Sequence, residues 1–240
     1  MHMLEVNNVC KRFGGVLANQ GISFSFDEGK IIGLIGPNGA GKTTLFNCLV
    51  GHLKADEGTA LFYGENIIGK TPPQILDIGI ARTFQITKTF VSMTVLENVM
   101  IGALYRNHNV KKARNYAMEI LEFTALTDKA NFEGSMLTVP DRKRVEIARA
   151  LATDPKLIML DECMAGLNPS EINDATKLIR SIQNKGITIL LIEHIMEVVM
   201  PLSDWVLVMD RGMMLTQGLP EDIVKDPMVI EAYLGVSKSA

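Results

Sequence analysis

Three features of the sequence predict an α/β protein built on a parallel sheet, with a helical piece inserted into it. Short apolar strands alternate with helical runs toward both ends of the chain. A glycine-rich turn, GPNGAGKT at 36–43, stands between one such strand and the helix after it. From about 95 to 151 the pattern turns helical and more charged, with no convincing strand.

Taken in order, LEV and then ISFSF, which alternates at Ile22, Phe24 and Phe26, read as strands. Asp27-Glu28-Gly29 supplies the turn before IIGLIG, and IIGLI is apolar throughout, as a strand buried on both faces should be. TTLFNCLVGHL reads as a helix. TALFYG and ENIIG form a second block of short strands, followed by a helix at PPQILDIGI. VLENVMIGAL, KKARNYAMEILEFTAL and DRKRVEIARAL each place apolar residues at three- and four-residue intervals. The last of these opens on Thr138 and Asp141, spaced as a capping box, with Pro140 in the first turn, where a missing N–H costs nothing. The strand LIMLD, a helix at SEINDATKLIRSIQNKG, the strand ITILLIE and a closing region of strands and helix complete the chain. There is no internal repeat, low-complexity tract or long linker. Residues 1–240 read as one unit, with a core over about 1–94 and 152–240 and a helical part over about 95–151.

At 47% hydrophobic and 21% charged, 240 residues can bury one sizeable core. A formal charge of −3 gives no electrostatic reason to expect a nucleic-acid partner. MHMLEVNNVCKRF lacks the apolar stretch of a secretory signal. The longest candidate for a membrane helix, ITILLIEHIMEVVMPL, is broken by Glu193, His194 and Glu197, so membrane association is expected only through a partner. Cys10, Cys48 and Cys163 are odd in number and lack metal-type spacing, which suits a reducing cytoplasm. Cys163 directly follows Asp161-Glu162, but no histidine is near it in sequence to make it a nucleophile.

GPNGAGKT carries the chemistry of a phosphate-binding loop. Gly36, Pro37, Asn38, Gly39, Ala40 and Gly41 let backbone N–H groups turn inward around phosphates, and the following helix adds the positive end of its dipole. Lys42 can reach the β- and γ-phosphates of ATP, Thr43 can ligate Mg²⁺, and Thr44 offers a further phosphate contact. LIMLDE supplies the complement: Asp161 at a strand end can hold Mg²⁺ through water, and Glu162 can polarise an attacking water.

Between and beyond these motifs the chain resembles the ABC-type ATPases over essentially its whole length. RTFQITKTF with Gln85 resembles their glutamine loop, LTVPD their signature, AGLNP with Asn168 their D-loop, and LIEHIMEVV with His194 their switch histidine. KRFGG resembles their adenine-stacking loop, with Phe13 as the aromatic. The resemblance implies a P-loop NTPase with a RecA-like core, an antiparallel β-subdomain and an inserted helical subdomain carrying the signature. It also implies that Gln85 touches Mg²⁺ or water, that His194 contacts the γ-phosphate, and that Asn168 sits at a dimer seam. Within the group, ARTFQITKTFVSMTVLENVMIGAL, DECMAGLNPSE and the tail GLPEDIVKDPMVIEAYLG are most similar to ATP-binding subunits of branched-chain and other hydrophobic amino-acid importers. Such a subunit works at the cytoplasmic face of the membrane, bound to permease subunits. Subunits for urea or small organic acids, export cassettes, and a nucleotide-gated clamp with little turnover are the alternatives.

The signature departs from the family's usual Leu-Ser-Gly-Gly-Gln. Leu137-Thr138-Val139-Pro140-Asp141 keeps a hydroxyl, removes an N–H at Pro140 and adds a negative charge at Asp141. Weaker phosphate engagement, on the order of 1–3 kcal/mol, is expected, with Arg142 and Lys143 offsetting part of it. A family signature serves the ATP bound by the partner cassette. The expectation is therefore a heterodimer with a second ATPase subunit and unequal sites; a homodimer would carry the change twice.

Overall fold

The computed structural model describes residues 2–83 and 89–234. The amino-terminal part runs β1 (Leu4–Phe13), β2 (Val16–Phe26), β3 (Ile31–Ile35), α1 (Lys42–Leu49), β4 (Glu57–Phe62) and β5 (Glu65–Asn66). Then follow α2 (Pro72–Asp77), β6 (Ile80–Arg82), α3 (Val95–Arg106), α4 (Val110–Phe123) and α5 (Val139–Leu151). The rest comprises β7 (Leu157–Asp161), α6 (Pro169–Asn184), β8 (Thr188–Ile192), α7 (Met196–Leu202), β9 (Trp205–Asp210), β10 (Met213–Gly218), α8 (Pro220–Ile223) and α9 (Pro227–Leu234).

Two sheets result. One is antiparallel, in the order β2-β1-β4-β5, and the other runs β10-β9-β3-β8-β7-β6. In the second, β9, β3, β8, β7 and β6 are parallel and β10 closes an edge antiparallel to β9. Every residue of IIGLI, LIMLD and TILLI in β3, β7 and β8 is buried, which explains their unbroken apolar character. In β2 the alternation holds as expected: Ile22, Phe24 and Phe26 point into the core that the antiparallel sheet shares with Leu45, Phe46 and Leu49 of α1. A second core joins Val95 and Val99 of α3, Leu121 of α4 and Val145 of α5 to the far face of the parallel sheet through Leu160 and Leu191.

One expected element is shorter than its pattern. The helix at PPQILDIGI stops at Asp77, and Ile80–Arg82 forms the edge strand β6, paired with Leu157–Met159 of β7. Gly79 makes the switch at φ +99, and its carbonyl accepts from the N–H groups of Lys156 and Leu157. Ile80 and Ala81 are buried by the neighbouring strand, so an apolar pair that suits a helix face is claimed by the sheet.

In parallel sheets the carboxyl ends of the strands are where ligands gather. Here β3 leads into the phosphate loop, β7 ends on Asp161 with Glu162 next, and β8 is followed by Glu193 and His194.

Candidate nucleotide site

The glycine-rich turn is shaped by contacts that leave no room for side chains. A Cβ on Gly36, at φ +150, would lie 2.1 Å from the Met209 carbonyl oxygen. One on Gly41, at φ +96, would lie 2.3 Å from that of Ala18. Asn19, buried in β2, donates from Nδ2 to the Gly41 carbonyl at 3.1 Å, fixing the loop just before α1 begins at Lys42. The Lys42 side chain folds back over the turn, its Nζ donating to the carbonyls of Gly36 at 2.7 Å and Pro37 at 3.0 Å. Burial pulls the Lys42 pKa down, while the charges of Glu162 and Asp161 work against that pull. Asn38, Gly39, Ala40, Gly41, Lys42, Thr43 and Thr44 line a 330 Å³ cleft together with Val16, Leu17, Ala18, Glu162 and His194.

Asp161 is 1% exposed at the end of β7. Its Oδ2 accepts from Arg82 Nη2 at 2.9 Å, and its backbone N–H donates to Thr83 Oγ1 at 3.3 Å. Arg82 also hydrogen bonds Asn47 of α1, so edge strand, α1 and β7 meet at one guanidinium. Burial raises the Asp161 pKa, and Arg82 pulls against that rise. The other oxygen, Oδ1, is buried without a hydrogen-bond partner, an acceptor suited to a cation or a water on one. Among the described residues no group of three or more His, Cys, Asp or Glu could hold a metal by itself. The Thr43 hydroxyl and the unpaired Asp161 Oδ1 are hard oxygen donors of the kind a divalent cation such as Mg²⁺ takes.

Glu162 has φ +50, a left-handed conformation that non-glycine residues seldom adopt. Its N–H donates to the Ile192 carbonyl at 2.9 Å, and its own carbonyl accepts from Lys143 Nζ of α5 at 3.0 Å. Glu162 Oε1 and His194 Nε2 are 2.5 Å apart; with the carboxylate ionised, Nε2 carries the proton. A nucleophilic role for Cys163 does not fit. The thiol is buried against the Glu193 carboxyl group, and burial holds its pKa well above the ordinary value, so it stays protonated.

Phe13, Thr138 and Asn168 are not among the residues that line this cleft. Phe13 is 48% exposed at the end of β1, with Lys11 Nζ 5.5 Å from its ring centre; Val16 and Leu17, not Phe13, line the cleft. Gln85 falls outside the described residues. Asn168 caps α6: its Oδ1 accepts from the Glu171 N–H at 3.0 Å and its N–H donates to Glu171 Oε2 at 2.8 Å. Thr138 caps α5 and, like Asn168, is not among the residues lining this chain's own cleft.

At the signature, Asp141 and its basic neighbours all have partners within the chain. Asp141 turns inward, its Oδ2 accepting from Lys129 Nζ at 2.6 Å and from the Thr138 hydroxyl at 2.7 Å. Burial pushes its pKa up, but the hydrogen bonds from Lys129 and Thr138 outweigh that, and the net shift is downward. Arg142 and Lys143 reach the carbonyls of Ser135 and Glu162. Sequence reading missed Lys129, Arg82 and Asn19, because each acts on a residue distant in the chain and none carries a motif.

A phosphate loop after a buried parallel strand, with an acidic pair and a histidine on neighbouring strand ends, defines a phosphate-loop nucleotide-binding ATPase fold. Comparison places it more narrowly. The profile of the ABC transporter family matches residues 19–165. The high-affinity branched-chain amino acid transport ATP-binding protein LivG of Salmonella typhimurium is 41% identical, over 97% of this chain and 98% of its own. BraF of Pseudomonas aeruginosa, of the same description, is 40% identical over 97% and 98%. The crystal structure of the ADP conformation of MJ1267, an ATP-binding cassette of an ABC transporter, superposes with a TM-score of 0.89 at 36% identity, covering 98% of this chain and 99% of that one. The chain belongs to the ABC transporter family, as an ATP-binding cassette with ATPase chemistry.

Proposed function

We propose that this chain binds and hydrolyses Mg-ATP to power import of branched-chain or other hydrophobic amino acids, working against permease subunits at the cytoplasmic face of the membrane. The observation that carries the chemistry is the convergence of Lys42, Glu162 and His194 on one cleft. Backbone N–H groups of 38–43 would cradle the phosphates, and Lys42 would exchange its two carbonyl partners for β- and γ-phosphate oxygens. Thr44 adds a phosphate contact. Thr43, Asp161 through its unpaired Oδ1, and Gln85 would hold Mg²⁺, which supplies positive charge against the phosphoryl oxygens. Glu162 polarises the attacking water, and His194, fixed against Glu162 Oε1, contacts the terminal phosphate. The amino-acid cargo follows from the LivG and BraF similarity across nearly the full chain.

The partner cassette is a different ATPase subunit. A signature serves the nucleotide of the opposite cassette, and this one is short of donors. Pro140 has no N–H, the Thr138 proton goes to Asp141, and the Asp141 N–H points back at Thr138 Oγ1 at 3.4 Å. Asn168 lies at the seam between the two. Size-exclusion chromatography with light scattering on Glu162→Gln protein tests this: with Mg-ATP the chain alone stays monomeric while binding nucleotide. An ATP-dependent homodimer would overturn the heterodimer.

A further inference from the structure

Glu193 is the least expected residue of the site. It follows β8 directly, precedes His194, and is 1% exposed. A carboxyl group in such a place costs stability unless it serves as an acceptor for something that needs one. Its Oε1 accepts the Met164 backbone N–H at 2.7 Å, and the Cys163 thiol lies against it. Burial raises its pKa, with the Met164 N–H and Lys143 opposing the shift.

The Met164 contact falls two residues after Glu162, whose left-handed backbone must be held by its surroundings to persist. Two backbone N–H groups of this turn bond to the end of β8 and the residue after it. The Glu162 N–H donates to the Ile192 carbonyl at 2.9 Å, and the Met164 N–H donates to the Glu193 side chain at 2.7 Å. Lys143, from α5, closes the third side on the Glu162 carbonyl. The residue that receives the Met164 N–H is thus the chain neighbour of the histidine that pairs with Glu162.

We propose that Glu193 is a positioning residue for hydrolysis: by accepting the Met164 N–H it locks the turn after Glu162 to the strand end carrying His194, and so sets the Glu162–His194 alignment. This rests on the role of Glu162 proposed above. A shift of about 1 Å in such a pair is enough to cost about a hundredfold in rate, while nucleotide binding at the phosphate loop is left alone.

The test compares Glu193→Gln, which keeps an acceptor oxygen, with Glu193→Met, which keeps the length and removes it. Both are measured as the full chain in its assembled transporter, with Glu162→Gln setting the floor of hydrolysis by this chain's site. Glu193→Met should lower kcat above that floor about tenfold or more, with the Kd for Mg-ATP within about threefold of the parent, and Glu193→Gln should restore kcat to within about threefold. Should the Met variant not fold, Glu193→Thr, too short to reach Met164, takes its place. Unchanged kcat in the acceptor-less variant overturns the proposal, as does a lowered Tm with kcat intact. Equal loss of kcat in Gln and Met variants also overturns it. Full hydrolysis by Glu162→Gln would instead sink the underlying assignment of Glu162, a result separable from any effect at Glu193.

Discussion

Lys129 holds the carboxylate of Asp141 at 2.6 Å, across a turn and into the first turn of the signature helix. The same oxygen accepts the Thr138 hydroxyl, so the helix start is neutralised from within the chain. The negative charge that the sequence places in the signature is part of an internal network.

Lys129→Met therefore destabilises the protein by about 1 kcal/mol at neutral pH, a figure discounted for the partly exposed lysine. The sign with pH follows from the lowered pKa of Asp141. Its stabilisation is present above the ordinary carboxylate value, about 4, and is lost as pH falls through the lower folded value. Urea unfolding of parent and variant should differ at pH 7 and converge below about pH 4.

Pro140→Gly combined with Asp141→Gln returns two donors to the signature and releases the Thr138 hydroxyl. In the Glu162→Gln background this double variant should form an ATP-dependent dimer by itself where the parent does not. Light scattering with and without Mg-ATP reads the difference. The helix start should pay a few tenths of a kcal/mol to about 1 kcal/mol for losing the rigid proline.

Arg82→Met leaves Asp161 buried without its ion-pair partner, at side-chain exposures of 8% and 0% in the parent pair. Removing one member of such a pair costs about 3 kcal/mol. The Asp161 pKa, already raised by burial, rises further, so the variant's deficit should be larger at pH 8 than at pH 5. Chemical denaturation at the two pH values checks both the size and the trend.

How far the sequence can be read depends on how local the physics is. GPNGAGKT was legible because the backbone conformations it needs are written into its own glycines and the helix that follows. LIMLD and TILLI were legible because burial on both faces demands apolar residues throughout. The capping of α5 by Thr138 spans three residues and shows in the spacing, whereas the same cap made by Asn168 on α6 was passed over in favour of its D-loop resemblance. The three-residue strand β6 was not legible: Ile80–Arg82 has too few residues to display a period, and only its pairing with β7 makes it a strand. Phe13 stands half-exposed at the end of β1, beside the turn whose Val16 and Leu17 line the cleft, a neighbourhood set by the pairing of β1 with β2 and not by the aromatic-Gly-Gly spacing.

The sequence by itself determined the class of chemistry, because phosphate cradling, the acidic strand end and the helix caps are all built from residues within a few positions of one another. Tertiary structure alone decided which charges meet. Arg82 reaches Asp161 across 79 positions, Glu193 reaches Met164 across 29, and Lys129 reaches Asp141 across 12. The physical reason is that an ion pair or a buried acceptor depends on a few ångströms of separation, which only the packing of strands and helices supplies.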